Sequence, residues 1–200
     1  MPELLNNHQI LTDVDDSVLV VIDVQQSFLA KISKDQIQAI INRISWLVKI
    51  AVKLKVPIIA TAEDIPSKGK NISEISDFFP EGTREFNKRS FGLTGDPVIL
   101  SAIEKTKRKS VIIVGLETDV CVMQSALGLL QNEYRVVVLS DATASPGPCH
   151  EAGLLRMQNA GVVISTVKGT FYEWIRNLDV ASANLEDSLW ENAPAPGIYL

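Results

Sequence analysis

Short unbroken apolar runs alternate along this chain with longer stretches in which apolar residues recur every three or four positions. Residues 17–22 (SVLVVI) and 111–114 (VIIV) are almost wholly branched and apolar, which suits parallel strands covered on both faces. Between them, Ile37, Ile40, Ile41, Ile44, Leu47, Val48 and Ala51 keep helical spacing behind Ser33 and Gln36, a pair at capping-box distance; the pattern predicts a helix over about 34–54. Residues 56–61 (VPIIAT) predict a second strand, with Pro57 at its start where a missing N–H is tolerated.

The stretch 62–82 is polar and broken by Pro66, Gly69, Pro80 and Gly82, so it reads as a long excursion with one short helix near 71–78. A weak third strand follows over 84–88. Asp96 and Pro97 open a helix by the N-cap and N1 rule, sending Val98, Ile99 and Ile103 towards the core. Gly115 ends the 111–114 run. Thr118 and Asp119 are N-cap residues for a helix ending near Asn132. Residues 135–139 predict a fifth strand, Pro146 and Pro148 introduce a helix that stops at Gly161, and 162–167 predict a sixth strand. Strands alternating with helices, without repeat or linker, specify a three-layer α/β fold on a parallel sheet. The reading is a single domain over 1–200, with a core of about 17–175 and a C-terminal extension over 176–200. The end of that extension, ENAPAPGIYL at 191–200, is expected to lie on a neighbouring subunit, making a dimer or larger homo-oligomer.

Composition narrows the function. A net charge of -5 on 200 residues and a pI near 5.1 exclude a nucleic-acid surface, which needs a concentrated basic face. The basic cluster KTKRK at 105–109 closes a helix, where cations offset the dipole. No apolar run reaches the roughly 18–20 residues of a membrane helix, and the N-terminus has neither a basic segment nor a long apolar one, so no secretory signal is read. Two cysteines and two histidines make neither a disulfide framework nor a four-ligand zinc site. These features predict a cytoplasmic protein without membrane or nucleic-acid partners and without cofactor or metal.

The chemistry centres on the turn after the fourth strand. Cys121 falls in or near the first turn of a helix, whose N–H groups and dipole favour a thiolate. In an open parallel sheet, ligands bind beyond the carboxyl ends of the strands where strand order reverses. With the order 3-2-1-4-5-6 that reversal brings Asp23, at the end of strand one, to Cys121, and an acid beside a thiol can serve as its base. A carboxylate and a thiolate together need a cation, and Lys88, Arg89 and Arg84 are the candidates. With a helix terminus and a cation beside it, Cys121 is expected to have a lowered thiol pKa despite Asp23. Cys149 also begins a helix, but it follows strand five, and its neighbour His150 points about 100° away. No G-x-x-x-x-G-K, no G-x-G-x-x-G after the first strand and no G-x-S-x-G is present, so phosphate, dinucleotide and serine-hydrolase readings have no support.

Three motifs together resemble the isochorismatase-like cysteine hydrolase superfamily. They are D-x-Q-x-x-F (Asp23, Gln25, Phe28), a lysine before a Ser-Phe pair (Lys88, Ser90, Phe91), and G-x-x-T-x-x-C-V (Gly115, Thr118, Cys121, Val122). The run VVVLSDATA at 136–144 also fits, and the likeness spans about 17–175. It implies the 3-2-1-4-5-6 sheet and an Asp–Lys–Cys triad in which Cys121 attacks, Asp23 moves the proton and Lys88 holds the charges. It further implies a cis peptide at Leu116–Glu117, N–H groups of Glu117 and Cys121 aimed at an oxyanion, and Gln25, Phe28 and Phe91 at the substrate. Nicotinamidases of this superfamily carry metal-binding histidines after strand two, whereas AEDIPSKGKNISEIS here has none. Members that open isochorismate's vinyl ether generally lack the cysteine. The chain therefore resembles a metal-independent amidohydrolase acting on a small C–N substrate, amide or ureido, through a thioester. The alternatives are vinyl-ether or ester hydrolysis on the same scaffold, or an oligomeric binding protein with a vestigial site.

Overall fold

Every residue of the first strand is buried, and its alternation is visible only in which side of the sheet each residue serves. The computed structural model describes residues 10–177 and 179. Its strands are β1 (Ser17–Ile22), β2 (Ile58–Glu63), β3 (Glu85–Lys88), β4 (Ser110–Leu116), β5 (Arg135–Ala144) and β6 (Val163–Ser165). Its helices are α1 (Gln26–Leu29), α2 (Lys34–Lys53), α3 (Ile65–Lys68), α4 (Ser73–Ser76), α5 (Pro97–Lys105), α6 (Met123–Gln131), α7 (Cys149–Asn159) and α8 (Val167–Ile175). The sheet order is β3-β2-β1-β4-β5-β6, with every neighbouring pair parallel. Leu19, Val21, Ile112 and Val114 pack on α2 and α8, whereas Val18, Val20, Ile22, Val111 and Ile113 pack on residues of α5, α6 and α7. Two buried faces explain why these strands read as continuous apolar runs.

The expected order and layers are therefore present, and the reversal lies between β1 and β4 as anticipated. Several boundaries moved. β2 starts and ends two residues later than predicted, because Ala62 and Glu63 pair with Asn87 and Lys88 of β3. β5 continues to Ala144 through an irregular step in which Ile113 faces Val138 but Gly115 faces Thr143. β6 is shorter than predicted, since Thr166 leaves the strand and accepts a hydrogen bond from the Gly169 N–H to cap α8. That helix was missed, although Val167, Thr170, Phe171, Trp174 and Ile175 follow the spacing of one buried face. Asp96 caps α5 as predicted by accepting from the Val98 N–H, but Val98 itself is exposed; Ile99 and Ile103 alone reach the core. Ser33 takes the N-cap position of α2, but its hydroxyl donates to the Gln36 side chain rather than accepting from a backbone N–H. The excursion after β2 holds two short helices, α3 and α4, where one was predicted.

Gly115 fixes how closely the two central strands meet at their carboxyl ends. Its φ is +122°, and a Cβ there would stand 1.9 Å from the Ile22 carbonyl oxygen, on the strand that delivers Asp23. Gly115→Ala therefore combines a strained dihedral with a backbone clash. It is expected to destabilise the protein by roughly 3 kcal/mol or more, read as a lowered thermal midpoint.

Candidate active site

The ends of β1, β3 and β4 deliver Asp23, Lys88 and Cys121 to one point. Asp23 adopts a left-handed conformation with φ +52°, a region that Asp tolerates better than most residues. Its carboxylate is completely buried, and Oδ1 accepts from the Thr61 hydroxyl at 3.1 Å. Lys88 is completely buried too, with Nζ 2.9 Å from Asp23 Oδ2. Nζ donates to the carbonyls of Ser90 at 2.9 Å and Phe91 at 3.1 Å, and to Cys121 Sγ at 3.5 Å. Asp23 Oδ2 makes this ion pair without a hydrogen bond from any described residue, so it retains a lone pair for a proton. Of the three candidate cations, Lys88 is the one at the site. Arg89 pairs with Asp64 at the surface, and Arg84 lies over the Phe86 ring.

A fourth group completes the cluster. Glu63, the last residue of β2, stands beside Lys88 in the β2–β3 register. Its Oε2 is 3.4 Å from Cys121 Sγ, which donates to it, and 3.9 Å from Lys88 Nζ. Its Oε1 accepts a hydrogen bond from Lys68. Gln25 fixes the backbone of this residue from both sides: its Oε1 accepts from the Glu63 N–H at 2.8 Å, while Nε2 donates to the Glu63 carbonyl at 3.0 Å and to that of Gly69 at 2.6 Å. Asn71 stitches the same edge together, accepting from the Val24 N–H and donating to the carbonyl of Thr61 and the carboxylate of Glu85. Glu63, Lys68 and Asn71 were not singled out from the sequence. The signal available was only that the excursion after β2 carries polar residues.

Around the cysteine the local structure differs from the expected helix start. Thr118–Val122 forms a π-helical turn, the kind of irregularity that often marks a functional site, and α6 begins after it at Met123. Thr118 and Asp119 do not cap that helix. Thr118 Oγ1 pairs with His150 Nδ1 at 2.8 Å, and Asp119 exchanges two hydrogen bonds with the Ser145 hydroxyl; both tie the turn to the region of α7. Leu116–Glu117 is a cis peptide, as the resemblance implied. The Glu117 carboxylate pairs with Lys31 at 3.0 Å. Phe28 is buried, with the ammonium groups of Lys31 and Lys68 over its ring at 4.7 and 4.8 Å. Phe91 is largely exposed and contributes its carbonyl to Lys88. Cys149 is exposed and lies apart from the cluster, at the start of α7.

Electrostatics overturn the expected thiol. Burial, with Asp23's charge second, pushes the Cys121 pKa far above the ordinary value of 9.0, and the nearby Lys88 ammonium does not offset them. Cys121 is only 1% exposed, and loss of hydration disfavours the thiolate more than one cation restores it. Burial likewise raises the Asp23 carboxyl above 3.8, against the pull of Lys88 and Thr61. Glu63 goes the other way. Burial works against its charge, but the hydrogen bonds from Lys68 and Cys121 prevail and hold it below 4.5. Asp23, Glu63 and Cys121 present ligand atoms within 4.8 Å of one another, and Lys88 Nζ is 2.9–3.9 Å from all three. Their shared positive partner is thus a lysine. Two surface recesses lie elsewhere, against α7, and neither is lined by Asp23, Lys88 or Cys121.

The fold agrees with the comparison to known families, in which residues 17–168 match the isochorismatase domain. The chain belongs to the isochorismatase family. Isochorismatase family protein 1B of Dictyostelium discoideum is 30% identical over 167 residues, 82% of this chain and 80% of that protein. The secreted isochorismatase effector Isc1 of Phytophthora sojae (strain P6497) is 31% identical over 166 residues, 78% of this chain and 76% of its own. Among solved structures, the YcaC gene product of Escherichia coli, described as an octameric hydrolase of unknown specificity, is similar with a TM-score of 0.84. It is 24% identical, and the match covers 92% of this chain and 91% of that one. The isochorismatase assignment makes the chain a family hydrolase. Among the described residues, no helix is long and apolar enough to cross a membrane.

The raised Cys121 pKa gives a labelling order opposite to that of a preformed thiolate. At pH 7, iodoacetamide should modify exposed Cys149 faster than Cys121, as read by peptide mapping. Asp23→Asn removes a charge that holds the thiol protonated, so Cys121 should label faster in that variant. Each unit by which its pKa falls raises the thiolate fraction about tenfold.

Proposed function

We propose that this protein is a metal-independent cysteine amidohydrolase that cleaves a small amide or ureido C–N bond through a thioester. The observation that carries this reading is the buried Lys88 ammonium, 2.9 Å from Asp23 and 3.5 Å from Cys121. In the first step Cys121 Sγ attacks the carbonyl carbon while its proton passes to Asp23, whose raised pKa and free Oδ2 lone pair suit a base that must later act as an acid. The N–H groups of Glu117 and Cys121 receive the developing oxyanion. Collapse breaks the C–N bond, Asp23 returns the proton to the departing nitrogen, and an acyl-Cys121 thioester remains. Water then attacks the thioester. Asp23 takes the water's proton and gives it to the departing sulfur, which releases the acid and restores the thiol. Lys88 stays charged throughout and offsets whichever partner carries the negative charge. The raised Cys121 pKa favours a resting thiol, so loss of its proton to Asp23 and attack on the carbonyl occur together.

Metal independence is supported by the same lysine and by the histidine-free segment after β2. The substrate is a small molecule; the one basic cluster, 105–109, leads into the amino end of β4, opposite the site. The two unpaired cysteines suit a reducing compartment such as the cytoplasm, whereas the Phytophthora relative is by name secreted. We also propose a homo-oligomer. Leu155 of α7 and Val163 of β6 are exposed apolar side chains, and β6 is an edge strand paired with β5 alone among the described residues; an open edge invites pairing. The tail expected to mediate contact, 191–200, lies outside the described residues.

Ammonia release across a panel of small amides and ureido compounds tests the activity, and it should survive exhaustive chelation. Asp23→Asn and Lys88→Ala should each lower turnover by about 10²–10⁴-fold while the fold is kept. The acid limb of kcat/KM should lie above the ordinary aspartate value of 3.8, since Asp23 must be deprotonated to accept the thiol's proton and its pKa is raised. Near-normal turnover in Lys88→Ala would remove the lysine from the mechanism. Leu155→Glu should shift the assembly to smaller species by light scattering, and a wild-type monomer at micromolar concentration would count against association.

A further inference from the structure

The mechanism leaves one half-buried carboxylate at the sulfur without a task. We infer that Glu63 is the specificity-determining acceptor of this site: its Oε2 takes a hydrogen bond from the N–H of a primary amide or ureido group brought to Cys121, and so selects N–H-bearing substrates over esters, ethers and carboxylates. This deepens the amidohydrolase reading and rests on Cys121 as its nucleophile.

The geometry assigns the two oxygens of Glu63 different roles. Oε1 is occupied by Lys68, and Oε2 is left facing Cys121 Sγ at 3.4 Å. The residue cannot swing aside freely. Its backbone is clamped by Gln25 and paired in register with Lys88, and its side chain is only 14% exposed. Lys68 keeps it ionised, and an ionised carboxylate accepts hydrogen bonds but donates none. Any group seated beside the sulfur must therefore present hydrogen to Oε2. In the free protein the thiol does so; in a complex, the –NH2 of a carboxamide or urea can replace it. An ester or ether oxygen brings only lone pairs to the same place, and a carboxylate brings a like charge.

A role for Glu63 as the base is disfavoured by the same comparison. Where two neighbouring carboxyls are driven apart, the raised one moves protons and the lowered one stays charged. Asp23 is the raised one. Glu63 also lies too near the sulfur to be merely an anchor for Lys68, because its second oxygen contacts the reacting atom.

The test uses three alkylating reagents with the same leaving group, iodoacetamide, methyl iodoacetate and iodoacetate, on the full chain. Cys149 is exposed and serves as an internal reference, so the Cys121-to-Cys149 rate ratio cancels each reagent's intrinsic reactivity. Comparing that ratio between reagents also cancels any change in the Cys121 pKa, which a purely structural or electrostatic role of Glu63 would produce. In the wild type the ratio should be roughly tenfold higher for iodoacetamide than for the methyl ester, the worth of one hydrogen bond to a charged acceptor, and lowest for iodoacetate. Glu63→Gln, which removes the charge, and Glu63→Asp, which retracts the oxygen, should both collapse the amide preference towards unity. Equal ratios for amide and ester in the wild type, or a preference that persists in both variants, would overturn the inference. Ammonia release with no labelling preference refutes Glu63's role alone. A Glu63-dependent preference without ammonia release upholds that role and refutes the hydrolysis.

Discussion

A lysine ammonium with no exposure to water is the constraint around which this site is built. An isolated buried charge costs several kcal/mol even after relaxation of its surroundings, so every neighbour of Lys88 must return part of that cost. Two backbone carbonyls, Ser90 and Phe91, accept from it, which dictates the path of the chain immediately after β3. Asp23 supplies the opposite charge from β1, and its left-handed φ is the local distortion that directs the carboxylate to that place. The thiol of Cys121 and the second carboxylate, Glu63, complete the shell. Residues from four strands or strand ends are thus held by one nitrogen, and the close approach of β1 to β4 at Gly115 is what makes that possible.

The same burial changes what kind of nucleophile this cysteine is. Low thiol pKa values come from cations and helix termini acting on a sulfur that retains some hydration. Cys121 has a cation but two carboxylates and almost no water, and the π-helical turn places it ahead of α6. The thiol is therefore held as a thiol until a substrate arrives. Such a site resists adventitious oxidation and alkylation better than a standing thiolate. On the proposed mechanism, proton transfer to Asp23 and attack become one event, and selectivity then depends on which groups can lie against the sulfur at that moment.

What the sequence disclosed follows the range of the interactions involved. The β1 run, the α2 periodicity and the Asp96 cap are set by neighbours within a few residues, and all were legible. The pairing of Asp23 with Cys121 was legible through topology, since strand order alone brings the ends of β1 and β4 together. Choosing Lys88 over Arg84 and Arg89 needed the family likeness, because in isolation all three are basic residues near one strand. Glu63 was hidden altogether: it belongs to a strand predicted to end two residues earlier, and its position depends on pairing with Lys88 and on the amide of Gln25. Gln25 shows the converse. It was expected at the substrate, and its amide is instead occupied by the backbone of Glu63 and Gly69. Thr118 and Asp119 have the composition of caps, but distant partners on or near α7 claim them.

The charges at the site close on themselves in two tiers. Deep in the fold, Asp23 is balanced by Lys88; nearer the surface, Glu63 is balanced by Lys68. Beside the sulfur the chain places an acid, Glu63, and an ammonium, Lys88, so the positive charge facing Cys121 is covalently part of the protein. The Lys88 ammonium already meets the carbonyls of Ser90 and Phe91, the Asp23 carboxylate and the Cys121 sulfur, which leaves it little capacity for a substrate atom. On the proposed mechanism, substrate polarisation then falls to backbone N–H groups in the Glu117–Cys121 turn. On that mechanism, a charged substrate would leave one tier unbalanced beside buried groups, where the effective dielectric is low. A neutral molecule with both a carbonyl to polarise and an N–H to donate disturbs neither tier, and that is the chemistry of an unsubstituted amide or urea.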